Sequence, residues 1–221
     1  MPEAVIFDLD GVLLDSEQRW NEVKREVAEA AGGRWHERAP TDMMGMSSPE
    51  WSAYMRDRLG VPREPAEINA EVVRRLAASY RAELPLLPGA VEAVRTIGAR
   101  WPLGLASSSN REVIDDFLLL SGLAGGFGVT LSSEQVERGK PSPDVYLEVA
   151  RRLGADPAHT VAVEDSSNGI RAAHSAGMGV IAIPNPHYPP EPDALKLADL
   201  TLERTADLAP KAVERAAGEA A

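Results

Sequence analysis

Two aspartates one residue apart, Asp8 and Asp10, close the apolar run Ala4-Val5-Ile6-Phe7 near the start of the chain. Positions i and i+2 of a strand point to the same side, so both carboxylates can face one site from the end of a buried strand. Acids this close repel each other and repel an anionic substrate, so a metal ion or a basic residue must complete the site. The later chain offers candidates. Ser107 and Ser108 open a serine cluster behind Leu103-Gly104-Leu105-Ala106, Lys140 stands in Gly139-Lys140-Pro141-Ser142-Pro143, and Glu164-Asp165 follows Thr160-Val161-Ala162-Val163. Asp8, Asp10, Glu164 and Asp165 form an oxygen-only ligand set, which suits a hard divalent cation, magnesium before zinc. With Lys140, the Ser107 hydroxyl and backbone N–H groups, such an ion describes a cradle for a phosphoryl group. One screened carboxylate can then attack phosphorus, while the other gives a proton to the leaving oxygen and later takes one from water.

Taken singly, each residue has a plainer reading. Ser109 or Asn110 suits a helix cap or turn, Lys140 a solvated loop, and Glu164-Asp165 the positive end of a helix. The elements that carry them decide between the readings. Strand-like runs at 4–9, 103–106, 129–131, 160–163 and 180–183 alternate with helical stripes, and 198–202 suits a last short strand. Alternation with short connections predicts an α/β fold, a doubly wound parallel sheet. Such sheets bind ligands at the carboxyl ends of their strands, where all of these residues fall.

Between Asp15 and Glu83 the pattern is helical instead. Trp20, Val23, Val27 and Ala30 form one stripe, Trp51, Met55 and Leu59 a second, and Ile68, Val72, Leu76 and Tyr80 a third. Ser48-Pro49 reads as N-cap and first helical residue, as do Ser142-Pro143 further on. The expected organisation is a core of 1–14 with 84–221 and a small helical domain of 15–83, hinged near Asp15 and near Pro85 to Gly89. Val12-Leu13-Leu14 suits a tight turn and small hairpin, Gly11 permitting the turn. The proline run Pro184 to Pro192 reads as a stiff connection, and the tail from Lys211 as a frayed helix.

The 221 residues, 44% apolar and 26% charged, fit a globular core with an insert. A net charge of −11 argues against nucleic acid or an anionic membrane as the main partner. The chain has no cysteine, which excludes disulfides, thiolate metal sites and cysteine catalysis. No stretch reaches membrane-spanning length and Met1-Pro2-Glu3 is no basic leader, so a cytoplasmic location is expected. The composition permits a monomer and leaves the oligomeric state open.

In this order and spacing the motifs resemble those of the haloacid dehalogenase-like (HAD) superfamily. Asp8-Leu9-Asp10-Gly11-Val12 is similar to its first motif, Ser107 to the second, Lys140 in Gly-Lys-Pro-Ser-Pro-Asp to the third, and Glu164-Asp165-Ser166 to the fourth. The helical insert resembles the α-helical cap of the β-phosphoglucomutase-like branch. The resemblance implies a Rossmann-like core and a magnesium-dependent phosphatase of a small phosphate ester. Asp8 would be the nucleophile that forms an aspartyl-phosphate, and Asp10 the general acid and base. Ser107, with Ser108 beside it, and Lys140 would hold phosphoryl oxygens. Asp8, Asp165, the backbone carbonyl of Asp10 and, directly or through water, Glu164 would hold Mg2+. Asp10 argues against a true haloacid dehalogenase.

The cap departs from the mutases of that branch. Trp20 stands where they carry a histidine, and Ser48 follows Gly45-Met46-Ser47 where they carry an arginine. Both departures favour hydrolysis over phosphoryl return. Trp20 and Met46 are the candidates for substrate choice, with Met43 and Met44 as cap core or apolar wall. An intramolecular phosphomutase and a non-catalytic phosphate-binding module stand as alternatives.

Overall fold

The opening apolar run forms the central strand of a sheet and divides its side chains between two cores. The computed structural model describes residues 1–44 and 46–218. Strand β1 (Ala4–Phe7) sends Val5 and Phe7 into one core and Ile6 into the other, the alternation of a strand covered on both faces. Four helices follow before any further strand: α1 (Glu17–Ala30), α2 (Ala39–Asp42), α3 (Ser48–Asp57) and α4 (Pro65–Ala82). The winding then resumes through α5 (Ala90–Gly98), β2 (Leu103–Ser107), α6 (Arg111–Leu120), β3 (Val129–Ser132), α7 (Asp144–Leu153) and β4 (Thr160–Glu164). It ends with α8 (Ser167–Ser175), β5 (Gly179–Ala182), α9 (Pro192–Leu195), β6 (Leu200–Thr201) and α10 (Pro210–Ala216).

The strands pair in the order β3-β2-β1-β4-β5-β6, all parallel. Val94, Ile97, Val113, Ile114 and Phe117 of α5 and α6 cover the Val5/Phe7 face. Val145, Tyr146, Val149, Ile170 and Ala173 of α7 and α8 cover the other. This is the expected doubly wound sheet. Its winding reverses between β1 and β4, and a crevice opens there beyond the strand ends. Asp8 and Asp10 leave β1 into that crevice and Glu164 and Asp165 leave β4, so the topology alone makes the acids neighbours.

The helical stripes read from the sequence pack the insert: Trp20, Val23, Val27, Trp51, Met55, Leu59, Ile68, Val72, Leu76 and Tyr80 are buried, while Ala30, at the end of the first stripe, is exposed. The two chain connections between insert and sheet run side by side. The Asp15 N–H donates to Pro85 O (2.8 Å) and the Leu87 N–H to Leu13 O (3.0 Å).

Several local expectations shift. β1 ends at Phe7 rather than Leu9, although the Asp8 N–H still donates to Val163 O across the sheet (2.9 Å). Val12 to Leu14 make a compact turn, not a hairpin, because the N–H groups of Leu13 and Leu14 both donate back to Leu9 O. Ser47, not Ser48, caps α3; Glu50 reaches back to accept the Ser47 N–H (2.8 Å), a capping box that moves Pro49 to the second helical position. Helix α7 starts at Asp144, with Pro143 ahead of it. The proline run is not wholly extended, since α9 begins inside it. The tail is helical from Pro210 to Ala216; residues 219–221 lie outside the described residues. Among the described residues no helix is long and apolar enough to cross a membrane.

Candidate active site

Lys140 lies at the centre of the acidic cluster. Its ammonium donates to Asp8 Oδ1 (2.8 Å), Glu164 Oε1 (2.6 Å) and the Ala106 carbonyl (3.0 Å). Three acceptors around one tetrahedral donor leave the ammonium fully used. Burial works against its charge, but the charges of Asp8 and Glu164 and its hydrogen bonds to them more than offset this, and its pKa stands above that of a free lysine. Glu164 is fully buried and held from every side. Its Oε1 also accepts from the Tyr146 hydroxyl (2.6 Å), and its Oε2 from the Asp165 N–H (3.1 Å) and from Ser166. Gly169 is what lets this carboxylate sit beneath α8, since a Cβ there would overlap it.

One carboxylate oxygen from each of Asp8, Glu164 and Asp165 lies within 4.8 Å of the other two. One lysine does not balance three such groups. Burial pushes the Asp8 carboxyl up to about 8, with the charges of Glu164 and Asp10 adding to Lys140's failure to compensate. Burial, then the charges of Glu164 and Asp8, likewise raise Asp165 well above the usual carboxylate range. The cluster therefore has the donor chemistry and the unmet negative charge of a site for a hard divalent cation. Gly11 shapes the same corner. It takes the left-handed conformation (φ 78°), and a Cβ on it would overlap the Asp165 carboxylate. The turn read from the sequence is thus also a close approach.

The Asp10 side chain faces elsewhere. Its Oδ1 accepts from the Ser16 hydroxyl and from the Trp20 indole N–H (3.1 Å), and its Oδ2 from the Ser109 hydroxyl. Any share Asp10 takes in holding a cation falls to its backbone carbonyl. Two of its three donors are hydroxyls, which can reverse and accept. An indole N–H only donates, so Oδ1 stays an acceptor and a carboxyl proton belongs on Oδ2. Trp20 is consequently both a buried core residue of α1 and a holder of Asp10. Trp20→Phe keeps an aromatic side chain but removes the donor, together with the second ring of the indole. Its kcat is expected to fall about tenfold, and an unaltered kcat in steady-state assays would assign the holding to the serines alone.

The serine cluster divides differently from expectation. Ser107 is fully buried and its hydroxyl accepts the Ser109 N–H (2.9 Å), so it braces the loop behind the wall of the cavity. Ser108 and Ser109 line the cavity, together with Asp8, Asp10, Lys140 and Asp165. Asn110 begins α6 and ties insert to sheet: it accepts from the buried Ser48 hydroxyl (3.0 Å) and donates to Asn69 (3.2 Å) and Glu134 (2.8 Å). Ser48, the residue in the mutase arginine position, is thereby used up. Gly45 of that segment lies outside the described residues.

The opposite wall belongs to the insert. Met43, Met44 and Met46 all reach the cavity, as an apolar wall. So do Glu17, Trp20, Asn21 and Lys24 of α1, spaced i, i+3, i+4 and i+7 on one helix face. Glu17, Asn21 and Lys24 were not singled out from the sequence, although the spacing from Trp20 marks them. The proline-rich loop closes the rim, where the Tyr188 hydroxyl accepts from Asn21 (3.2 Å).

The model of the haloacid dehalogenase-like hydrolase family matches residues 2–177. The chain belongs to that family. Hexitol phosphatase B of Escherichia coli K12 is 34% identical over 212 residues, covering 94% of this chain and 95% of its own. The phosphorylated carbohydrates phosphatase of Thermotoga maritima is 35% identical over 178 residues, 80% of this chain and 82% of its own. Among solved structures, β-phosphoglucomutase from Clostridium difficile superposes with a TM-score of 0.85 over 99% of this chain and 98% of its own, at 23% identity. That likeness is one of fold.

Proposed function

We propose that this hydrolase is a magnesium-dependent phosphatase that transfers the phosphoryl group of a small monoester to Asp8 and then to water. The reaction class, hydrolysis of small phosphate esters, follows from the family and from relatives that are phosphatases. The observation that carries the finer reading is the division of labour between the two aspartates. Asp8 lies in the charged cluster beside Lys140, and Asp10 faces neutral donors across the cavity.

Asp8, Asp165, the Asp10 carbonyl and Glu164 would hold the ion, Glu164 by sharing an oxygen already bonded to Lys140 or Tyr146. Bound magnesium supplies the positive charge that lets a carboxylate and a phosphate dianion approach. Lys140 orients the attacking carboxylate and, together with the bound ion, would keep it ionised. Ser108 and the N–H groups behind it receive phosphoryl oxygens. Asp10 protonates the leaving oxygen from Oδ2, then takes a proton from the water that releases phosphate. Residues 15–83 form a cap domain over this chemistry, hinged where the two connections lie together, and exclude water from it. Ser48, bonded to Asn110, offers no cation for a second phosphate, which favours release to water over a mutase cycle.

Metal removal tests the reading. Dialysis against a chelator is expected to abolish phosphate release and magnesium to restore it. Magnesium should also raise the melting temperature of the native chain and leave that of Asp165→Ala unmoved. Full turnover in chelator would overturn the metal's part.

A further inference from the structure

Lys24 has no role in the chemistry above, yet it is built into the cavity wall. The residue is only 7% exposed. Its ammonium stands 5.2 Å from the Trp20 ring centre and 4.9 Å from that of Trp51, inside cation–π range of both. The two rings meet edge to face at 6.1 Å, and the one ammonium stands against both. Among the described residues the ammonium makes no hydrogen bond and no ion pair. Glu17, two turns earlier on the same face of α1, makes none either. Both line the cavity. A mostly buried cation and a half-buried acid, neither with a hydrogen-bond partner, are costly unless a ligand meets them.

The ligand chemistry follows from the signs. A hydroxyl has one proton to donate and two lone pairs to accept with, so it can satisfy a carboxylate and an ammonium at once. A second phosphate or a carboxylate would satisfy Lys24 only and would face Glu17 and Asp10 with like charge. The rings and the methionine wall beside the pair suit the C–H faces of a carbon chain. We propose that Glu17 and Lys24 form a subsite that reads a hydroxyl on the leaving group. The substrate is then the phosphate monoester of an uncharged, polyhydroxylated carbon chain or sugar.

This deepens the phosphatase reading and rests on it. The two are separated by assaying phosphate release, with magnesium present, from sorbitol 6-phosphate, hexyl phosphate and fructose 1,6-bisphosphate. The native enzyme is expected to prefer sorbitol 6-phosphate over hexyl phosphate by about a hundredfold in kcat/KM, because a site built for hydroxyls rejects an ester without them. Lys24→Met and Glu17→Gln should each cut that ratio about tenfold or more, chiefly through KM for sorbitol 6-phosphate. Glu17→Gln is nearly isosteric and carries the test if Lys24→Met does not fold. A ratio that stays constant in the variants means a structural role for the pair and overturns the subsite. Preference for the bisphosphate overturns it too. No release from any of the three esters takes down the phosphatase reading, and the subsite with it.

Discussion

Asp8→Asn is expected to end phosphate release, with kcat lower by roughly four orders of magnitude or more, as when a nucleophile acting in concert with its neighbours is removed. The amide keeps the shape of the side chain and can still accept from Lys140, but it cannot attack phosphorus. The fold should survive, because the change takes a charge away from a buried cluster of like charges. A melting temperature no lower than that of the native chain, measured in chelator, is therefore part of the same prediction. Acid quenching during turnover should trap phosphoryl enzyme with the native chain and none with the variant. Turnover that survives the substitution would remove Asp8 from the nucleophile's place.

Lys140→Met should injure both activity and fold. Its ammonium bridges two acids and a carbonyl at hydrogen-bond distance, and its side chain is 3% exposed. Removing it leaves Asp8 and Glu164 buried beside each other with no cation of the chain between them. Breaking a buried pair in this way costs about 3–5 kcal/mol, or on the order of 10 °C in melting temperature for a chain of this size. Lys140→Arg retains the charge but presents a flat fork to three acceptors arranged around a point, so it too should lose most activity. An active and equally stable Lys140→Met enzyme would contradict the placement of this residue at the centre of the cluster.

Strand ends were the readable part of the chain. Asp8, Glu164 and Asp165 follow apolar runs that can only be buried strands, and a parallel sheet brings such ends together whatever the loops do. Lys140 was readable by charge, since the acids demanded a cation. What was hidden depended on side chains meeting across the fold. Tyr146 sits among the apolar positions of α7 and reads as core, yet its hydroxyl holds Glu164. Ser107 and Ser109 look alike in sequence, and only the turn after β2 sends one behind the wall and the other to Asp10. Lys24 falls on the apolar stripe of α1, where a lysine looks out of place until Trp51 arrives from another helix. The cap of α3 was open to view: Ser47 and Glu50 have the capping-box spacing.

The three donors to Asp10 come from three parts of the molecule. Ser16 stands beside one connection, Trp20 on the insert and Ser109 on the sheet, with the next residue, Asn110, fastening the insert down. Any swing of the insert away from the sheet strips Trp20 from Asp10. On the proposed reading the proton donor is assembled by closure, and an open enzyme is slow in both half-reactions, because Asp10 lacks one of its holders when the leaving oxygen departs and again when water attacks. An ester too short to hold the insert shut would bind and wait, turned over slowly even at saturation, its deficit appearing in kcat rather than in KM alone.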